Sequence, residues 1–218
     1  MRPQRHLVVM VREPRLGAVK RRLARDIGPL AAWRFYRLTT MRLLRQVACD
    51  RRWRTWLAVT PDRTARRSAA AIFSLPARIT PPIVPQGRGD LGARMSRLLH
   101  DLPPGPVVIV GSDIPTLGAA QIARAFAALG DHDWVFGPAH DGGYWLIGAR
   151  RRMLRRNALT HVRWSSEHAL ADTLASLGPA RVALLETLAD IDDGADFARW
   201  IQRERAAVDR AGRNLKQL

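Results

Sequence analysis

Four consecutive β-branched residues at 107–110, followed by Gly111-Ser112-Asp113-Ile114-Pro115, constrain the fold more than any other segment of the chain. Apolar residues that follow one another without alternation are typical of a strand buried on both faces, as at the centre of a parallel sheet. Pro115 prevents a helix from beginning at once, so we expect Asp113 in the loop at the carboxyl end of this strand. Ligands bind at that edge of open α/β sheets. Asp113 is therefore the first candidate site residue, and the alternative is that it only caps the next helix.

Further apolar runs alternate with helical patterns, which favours a single α/β domain with a mostly parallel sheet. We expect this domain to cover residues 1–209 and residues 210–218 to form a disordered tail. The predicted strands lie at 6–12, 53–60, 134–137, 144–148 and 182–185, with a short edge strand within 78–86. The predicted helices lie at 30–48, 63–71, 93–102, 119–129, 166–177 and 195–208, and Ser165 is the expected N-cap of the helix at 166–177.

The chain carries a formal net charge of +17, and most of it is concentrated near the start. Residues 1–67 hold 18 Lys and Arg against 4 Asp and Glu, a net charge of +14. A basic segment of this kind raises the hypothesis of a nucleic-acid-binding module. No zinc-finger spacing, RNP-type aromatic pattern or helix-turn-helix signature accompanies it, so nucleic acid is not the favoured partner. The phosphate that attracts this charge can equally belong to a small molecule.

Two other features bear on where the protein acts. No run of apolar residues reaches the roughly 18 needed to span a bilayer. Cys49 is the single cysteine, which excludes an intrachain disulfide framework. A cytoplasmic location is therefore expected.

The loop after the first predicted strand contains Gly17 and Lys20. Lys20 is one of only two lysines in a chain with 36 Lys and Arg, and it stands directly before Arg21 and Arg22. A lysine offers a compact point charge that suits a phosphate group. The alternative, an incidental lysine at an exposed helix start, is equally compatible with the composition.

Residues 87–92 match the pattern G-x-G-x-x-G, and Asp113 follows 21 residues after its end. This spacing superficially meets the dinucleotide fingerprint. The segment before it contains Pro81, Pro82 and Pro85, which makes it a poor central strand. We therefore interpret this stretch as a phosphate or ribose loop at a helix start.

Two acidic segments remain. In Asp141-Gly142-Gly143, between two apolar runs, the sequence favours a β-hairpin, and its glycines would also let the backbone approach a ligand closely. In the second segment, Asp190 and Asp192 would point the same way on an extended backbone, while Asp193 fits the N-cap of the last helix. The sequence contains neither H-E-x-x-H nor G-x-S-x-G, which argues against a zinc hydrolase or a serine hydrolase of those kinds.

Taken together, six segments resemble the DUF2064 family, a branch of the glycosyltransferase-A (GT-A) superfamily in which some members carry the label arsenosugar-biosynthesis glycosyltransferase. The resemblance covers about residues 6–200. The segments are GAVKRRL at 17–23, PQGRGDLGARM at 85–95, GSDIP at 111–115, FGPAHDGGYW at 136–145, VRWS at 162–165 and DID at 190–192.

The resemblance implies a Rossmann-like GT-A fold, with helices on both faces of the sheet, that binds a nucleotide and Mg²⁺ or Mn²⁺. Asp113 and Asp192 match positions of metal-binding carboxylates, and Asp113 and Asp141 are the expected catalytic residues. The expected nucleotide- and phosphate-binding residues are Gly17, Lys20, Gln86, Gly87, Gly89, Asp90 and Arg94. Those expected on the substrate side are Gly142, Gly143, Trp164 and Ser165.

The chain departs from the family pattern at two places. Arg21 replaces a threonine of the usual Lys-Thr-Arg-Leu sequence, which removes a hydroxyl group from the phosphate loop. His140 replaces a glutamate that often precedes Asp-Gly-Gly, which removes a carboxylate on the acceptor side.

The favoured interpretation is a glycosyltransferase that uses a nucleotide-diphosphate sugar, a divalent metal and a small-molecule acceptor. One alternative is a nucleotidyltransferase that joins a nucleoside triphosphate to a small phosphorylated acid or cofactor and releases pyrophosphate. The alternative of another class is a nucleic-acid-binding protein that uses the basic first third of the chain.

Overall fold

In the part of the chain that the structure describes, seven strands form one sheet in the order β3-β2-β1-β4-β6-β5-β7. All run parallel except β6, which is antiparallel to both of its neighbours, β4 and β5. The computed structural model describes residues 4–151, 154 and 158–215, with side chains as far as residue 206. The strands are β1 His6–Arg12, β2 Arg54–Thr60, β3 Ile83–Pro85, β4 Val107–Val110, β5 Trp134–Pro138, β6 Tyr144–Ala149 and β7 Val182–Leu184.

Helices cover both faces of the sheet, as predicted. Leu7 and Val9 of β1 enter one apolar core together with Leu44 and Ile122. Val8 lies between them and belongs to a second core on the opposite face, because successive side chains of a strand point to opposite sides. The helices are α1 Arg21–Ile27, α2 Pro29–Val47, α3 Ala69–Phe73, α4 Leu91–Asp101, α5 Ala119–Ala128, α6 Ala169–Ser176 and α7 Gly194–Leu215, with a 3-10 helix at Asp62–Arg66.

The central strand and the hairpin of the sequence analysis are confirmed. All four residues of β4 are buried, and β4 is the fourth of the seven strands. Residues 139–143 connect the antiparallel pair β5 and β6. The extended stretch at 78–86 contributes the short edge strand β3, whose prolines are tolerated because an edge strand has one unpaired side.

Several predicted boundaries were wrong. The fifth of the predicted helices begins at Ala169 instead of Ser166, with His168 at its N-cap. Ser165 has a φ of 59°, so it lies in a left-handed turn before the helix and does not cap it. Helix α7 runs from Gly194 to Leu215 instead of ending at residue 208, and residues 216–218 lie outside the described part of the chain. The division into a domain at 1–209 and a tail at 210–218 stays a prediction.

The parallel topology brings the predicted site segments to one edge of the sheet. The loops that follow β1, β3, β4, β5 and β7 all leave from the carboxyl ends of strands that run in the same direction. Gly17 and Lys20, the 86–90 loop, Asp113, the 141–143 turn and Asp192 therefore lie along the same edge of the sheet. Lys20 and Asp192 meet there although they are 172 positions apart in the sequence. Within the described residues, none of the helices has the length and apolar character needed to cross a membrane.

Candidate functional site

Lys20 lies at the centre of this edge. Its Nζ is 2.7 Å from Oδ2 of Asp113 and 2.7 Å from Oδ1 of Asp192, and only 7% of its side chain is exposed. Burial alone would lower the pKa of the Lys20 ammonium, but the two carboxylates outweigh burial and hold that pKa above its ordinary value. Lys20 is therefore a fixed cation that neutralises part of an acidic cluster.

Local packing explains how Asp192 reaches Lys20. Ile191 is buried against Leu23 of α1 in a small apolar cluster, so the aspartates on either side of it are directed away from that cluster. Asp26 fixes the same junction, because its Oδ2 accepts a hydrogen bond of 2.7 Å from the backbone N–H of Gly194 at the start of α7. The buried Ile191 side chain thus positions Asp190 and Asp192 beside the loop that follows β1.

Asp190 is the third carboxylate of the cluster. Burial raises its pKa to about 6, and the nearby carboxylates of Asp192, Asp141 and Asp113 add to that effect while Lys20 opposes it. Three neighbouring carboxylates thus act on Asp190 in addition to burial, which is the largest cause of the raised pKa. A further cation or a cationic part of a ligand would be favoured there.

We expect Asp190→Asn to stabilise the protein in a pH-dependent way. A pKa raised in the folded state means that the folded protein binds this proton more tightly than the unfolded chain does. The stability due to that proton is complete below about pH 4 and is lost as the pH rises through 6. The variant should gain about 1–2 kcal/mol over the wild type at pH 8, after allowance for solvent screening of a half-buried group, and almost nothing at pH 4.

Urea unfolding of both proteins at pH 4, 6 and 8 measures this difference. A difference in the free energy of unfolding that is the same at all three pH values would show that Asp190 is an ordinary solvated carboxylate.

A cavity of about 600 Å³ opens beside the carboxylates. Five residues of the predicted site form part of its wall, namely Lys20, Gln86, Arg94, Asp113 and Asp192. The wall also contains residues that the sequence analysis did not assign to the site, among them Met10, Arg12, Arg21, Arg22, Tyr36, Met95 and Tyr144. The cavity wall therefore combines arginines and carboxylates with apolar side chains that belong to the sheet and α4.

Tyr36 forms part of the cavity wall and is hydrogen-bonded to the end of β1. Its buried hydroxyl accepts a hydrogen bond from the backbone N–H of Arg12 and donates one to the Arg12 carbonyl, at 2.8 and 2.9 Å. Burial raises the pKa of Tyr36, so the phenol stays neutral. Tyr36 was not among the predicted site residues, and the only signal for it in the sequence is a hydroxyl group within the helix predicted at 30–48.

The 86–90 loop is held by its own polar groups. The side-chain nitrogen of Gln86 donates to the carbonyls of Val11 and Ala58, each at 3.0 Å, and so joins β3 to the ends of β1 and β2. Asp90 caps α4, because its Oδ1 accepts a hydrogen bond of 2.8 Å from the backbone N–H of Ala93. Gln86 and Arg94 line the cavity, whereas Gly87, Gly89 and Asp90 are not among its wall residues.

The 141–143 turn lies at the other end of the site edge. Oδ1 of Asp141 accepts a hydrogen bond of 2.9 Å from the backbone N–H of Gly143. Gly142 has a φ of 81°, and a Cβ there would lie 2.1 Å from the carbonyl oxygen of Glu167, so only glycine fits against the turn before α6. Asp141, Gly142 and Gly143 are outside the cavity wall, although the Asp141 charge acts on Asp190.

The remaining predicted residues also lie outside the cavity wall. Trp164 packs over Gly92 and meets Tyr144 edge to face at 6.4 Å, so it supports a wall residue without being one. Ser165 follows it in the left-handed turn. Gly17 lies in a turn of the β1 loop with a φ of 75°. The roles assigned to these residues stay predictions.

The carboxylates suit a hard divalent cation. Lys20 pairs with one oxygen of Asp113 and one of Asp192, and the second oxygen of Asp192 lies 3.7 Å from Nη1 of Arg22. The side chains of Asp113 and Asp192 are 35% and 41% exposed. Mg²⁺ is commonly held by one or two carboxylates together with substrate phosphates. Within the described residues, no group of three or more His, Cys, Asp or Glu side chains is arranged to hold a metal ion.

The chain is similar to a described protein family and to several solved structures. A family model described as an uncharacterized protein conserved in bacteria (DUF2064) matches residues 43–166. No curated protein matches the sequence significantly. The crystal structure of a candidate nucleotide-diphospho-sugar transferase from Desulfovibrio desulfuricans G20 is 25% identical, with a TM-score of 0.73 over 87% of this chain and 82% of that one.

Two synthases share the fold at lower identity. The 4-diphosphocytidyl-2C-methyl-D-erythritol synthase from Anaerococcus prevotii DSM 20548 is 11% identical, with a TM-score of 0.58 over 91% of this chain and 98% of that one. A CMP:2-keto-3-deoxy-manno-octonic acid synthetase, solved in complex with CTP, is 12% identical, with a TM-score of 0.56 over 95% and 99%. The single α/β domain is thus of the type found in transferases that use nucleotides.

Proposed function

This chain belongs to the DUF2064 family, and from that premise we propose that it transfers a glycosyl group from a nucleotide-diphosphate sugar to a small acceptor, with Mg²⁺ or Mn²⁺. The observation that carries this proposal is the position of Lys20 between Asp113 and Asp192, at the carboxyl ends of the strands. The printed name of the 25% identical relative supports the choice of a nucleotide-sugar donor.

The charges of the cavity suit a diphosphate. Arg12, Arg21, Arg22 and Arg94 line it together with Lys20. Fixed cations of this kind stabilise the negative charge that develops on a departing nucleoside diphosphate, because they need no reorganisation during the reaction. The volume of about 600 Å³ also lies within the range of small-molecule sites.

In this proposal Lys20 pairs with the carboxylates when the site is free and with the diphosphate when nucleotide is bound. Without nucleotide it neutralises Asp113 and Asp192. A bound diphosphate offers the ammonium group new oxygen partners, and the carboxylates are then free to hold the metal. When bound there, Mg²⁺ or Mn²⁺ would supply charge neutralisation at the diphosphate.

The acceptor side is assigned to the 141–143 turn and its neighbours. Asp141 is the proposed proton acceptor for the acceptor hydroxyl, and Gly142, Gly143, Trp164 and Ser165 shape the approach to it. The support for this assignment is that Asp141 is close enough to the cluster to raise the pKa of Asp190 while its own carboxylate stays outside the nucleotide cavity.

A nucleotidyltransferase is the second candidate. The same Lys20 loop and carboxylate pair would serve a nucleoside triphosphate whose pyrophosphate departs, with a small phosphorylated acid or cofactor as acceptor. The cations that line the cavity suit this candidate as well as the first. A triphosphate carries more negative charge than a diphosphate, so the same cations would attract it at least as strongly.

Product analysis separates the two candidates. The purified chain with Mn²⁺ is incubated with a panel of nucleotide-diphosphate sugars and pooled small acceptors, and the released nucleoside diphosphate is measured. A parallel screen supplies each of the four nucleoside triphosphates together with pooled small phosphorylated acids and cofactors as acceptors, and measures the released pyrophosphate. We expect nucleoside diphosphate in the first screen. Release of pyrophosphate alone would favour the nucleotidyltransferase over the glycosyltransferase. If neither screen gave a product and the chain bound no nucleotide, both candidates would be contradicted.

A further inference from the structure

The exposed face of α2 alternates leucine and arginine. Leu30, Arg34, Leu38 and Arg42 are all exposed and spaced four residues apart, so they form one stripe along the helix. Leu30 is 48% exposed and Leu38 is 62% exposed. Every residue of α2 is described, and none of its 19 residues is Asp or Glu. The stripe therefore combines apolar side chains with positive charges and contains no acidic residue, whereas a solvated helix face usually carries charges of both signs.

An apolar groove adjoins this stripe. The groove measures about 610 Å³ and lies between α2 and α7. Its α7 wall is formed by Phe197, Trp200 and Ile201. The indole Nε1 of Trp200 is the buried side-chain nitrogen that has no hydrogen-bond partner among the described residues. An exposed stripe and an open apolar groove side by side indicate a surface that contacts something other than water.

The positive charge around the groove limits which kinds of partner can bind there. Arg34 lines the groove itself, and Arg25 lies exposed on the adjoining helix α1. A second copy of this chain would bring the same arginines against each other, and the whole chain already carries +17. An extended surface with negative charge and an apolar interior avoids that repulsion and accepts the leucines.

We propose that the Leu30–Arg34–Leu38–Arg42 stripe of α2 and the groove beside it dock on an anionic lipid bilayer. Leucine side chains of an interfacial helix enter the boundary between headgroups and acyl chains, while arginines stay at the level of the lipid phosphates. Negative lipids add roughly a fivefold gain in affinity for each basic residue near the surface. The catalytic edge is not part of this surface, so the inference does not depend on the proposed function.

The test uses the full chain and vesicles of phosphatidylcholine with or without about 30% phosphatidylglycerol, a composition rich enough in anionic lipid to attract basic residues. Flotation measures the bound fraction against lipid concentration. We expect binding to the anionic vesicles and little to the neutral ones. The double variant Leu30→Ser/Leu38→Ser, which keeps the charge, should bind the anionic vesicles at least tenfold more weakly. Arg34→Gln/Arg42→Gln should lose about 25-fold.

Leu184→Ser is the matched control, because Leu184 is 57% exposed but lies on the edge strand β7. It should bind as the wild type does, and thermal melting checks that all variants are folded. Equal binding by the double leucine variant, or an equal loss in Leu184→Ser, would overturn the proposal, since charge alone or general hydrophobicity would then explain the result. The proposal would also be overturned if the wild-type chain bound no vesicles but associated with itself or bound nucleic acid, and the Leu30→Ser/Leu38→Ser variant lost that association.

Discussion

Asp113→Asn should reduce the transfer rate by about 10²–10³-fold and leave the fold intact. Asparagine keeps the shape of the side chain but removes the charge that pairs with Lys20 at 2.7 Å and that is proposed to hold the metal. Lys20 retains Asp192 at the same distance, so its ammonium group stays neutralised in part and the free energy of unfolding should change by less than about 1 kcal/mol. Initial rates at saturating donor, with thermal melts of the same preparations, measure both effects.

Asp50→Asn is the matched control for this variant. Asp50 pairs with Arg52 at 2.6 Å on the amino-terminal side of β2, at the opposite edge of the sheet from Lys20. It should lose no activity. If Asp113→Asn retains the wild-type rate and the same dependence on Mn²⁺, Asp113 is only a loop residue and the proposed site is wrong.

Lys20→Met should have two effects of opposite sign. The affinity for nucleotide should fall by about 1–3 kcal/mol, which is typical of a lost charge-assisted hydrogen bond. The affinity for Mn²⁺ in the absence of nucleotide should rise, because Asp113 and Asp192 lose the ammonium group that competes with the metal. The free energy of unfolding should fall by about 1–2 kcal/mol, since Asp113 loses the Lys20 ammonium group and Asp192 keeps only Arg22, 3.7 Å away.

Arg25→Met is the control for Lys20→Met, because it removes one positive charge from the exposed face of α1. Calorimetric titration of each variant with nucleotide alone and with Mn²⁺ alone gives the four affinities. A fall in both affinities for Lys20→Met would show that the lysine supports the carboxylates instead of competing for them. Equal effects of the two variants would show that only net charge matters.

The central part of the fold was predictable because its signals are local. Four β-branched residues in a row require burial on both faces, and this placed β4 at the centre and Asp113 at the carboxyl end of the strand. The hairpin followed from Asp-Gly-Gly for the same reason. The start of α6 was missed, because Ser165 has the chemistry of an N-cap while tertiary packing of the preceding turn gives it a left-handed backbone.

The chemistry of the site was only partly predictable. Lys20 and Asp192 were each identified, but their ion pair joins residues 172 positions apart and follows from the packing of Ile191 against α1. The sequence likewise could not separate Gln86, which lines the cavity, from Asp90, which caps α4 close by. Residue types indicated the acids and cations, whereas only the fold determined which of them meet.

Calorimetry on the wild-type chain addresses the nucleotide–metal site most directly. A nucleoside diphosphate is titrated with and without Mn²⁺, and Mn²⁺ is titrated with and without the nucleoside diphosphate. We expect each ligand to strengthen the binding of the other by the same factor, because coupling between two sites is reciprocal. Nucleotide binding that is unchanged by Mn²⁺, or absent under both conditions, would show that Lys20, Asp113 and Asp192 form a structural ion-pair cluster and not a nucleotide–metal site.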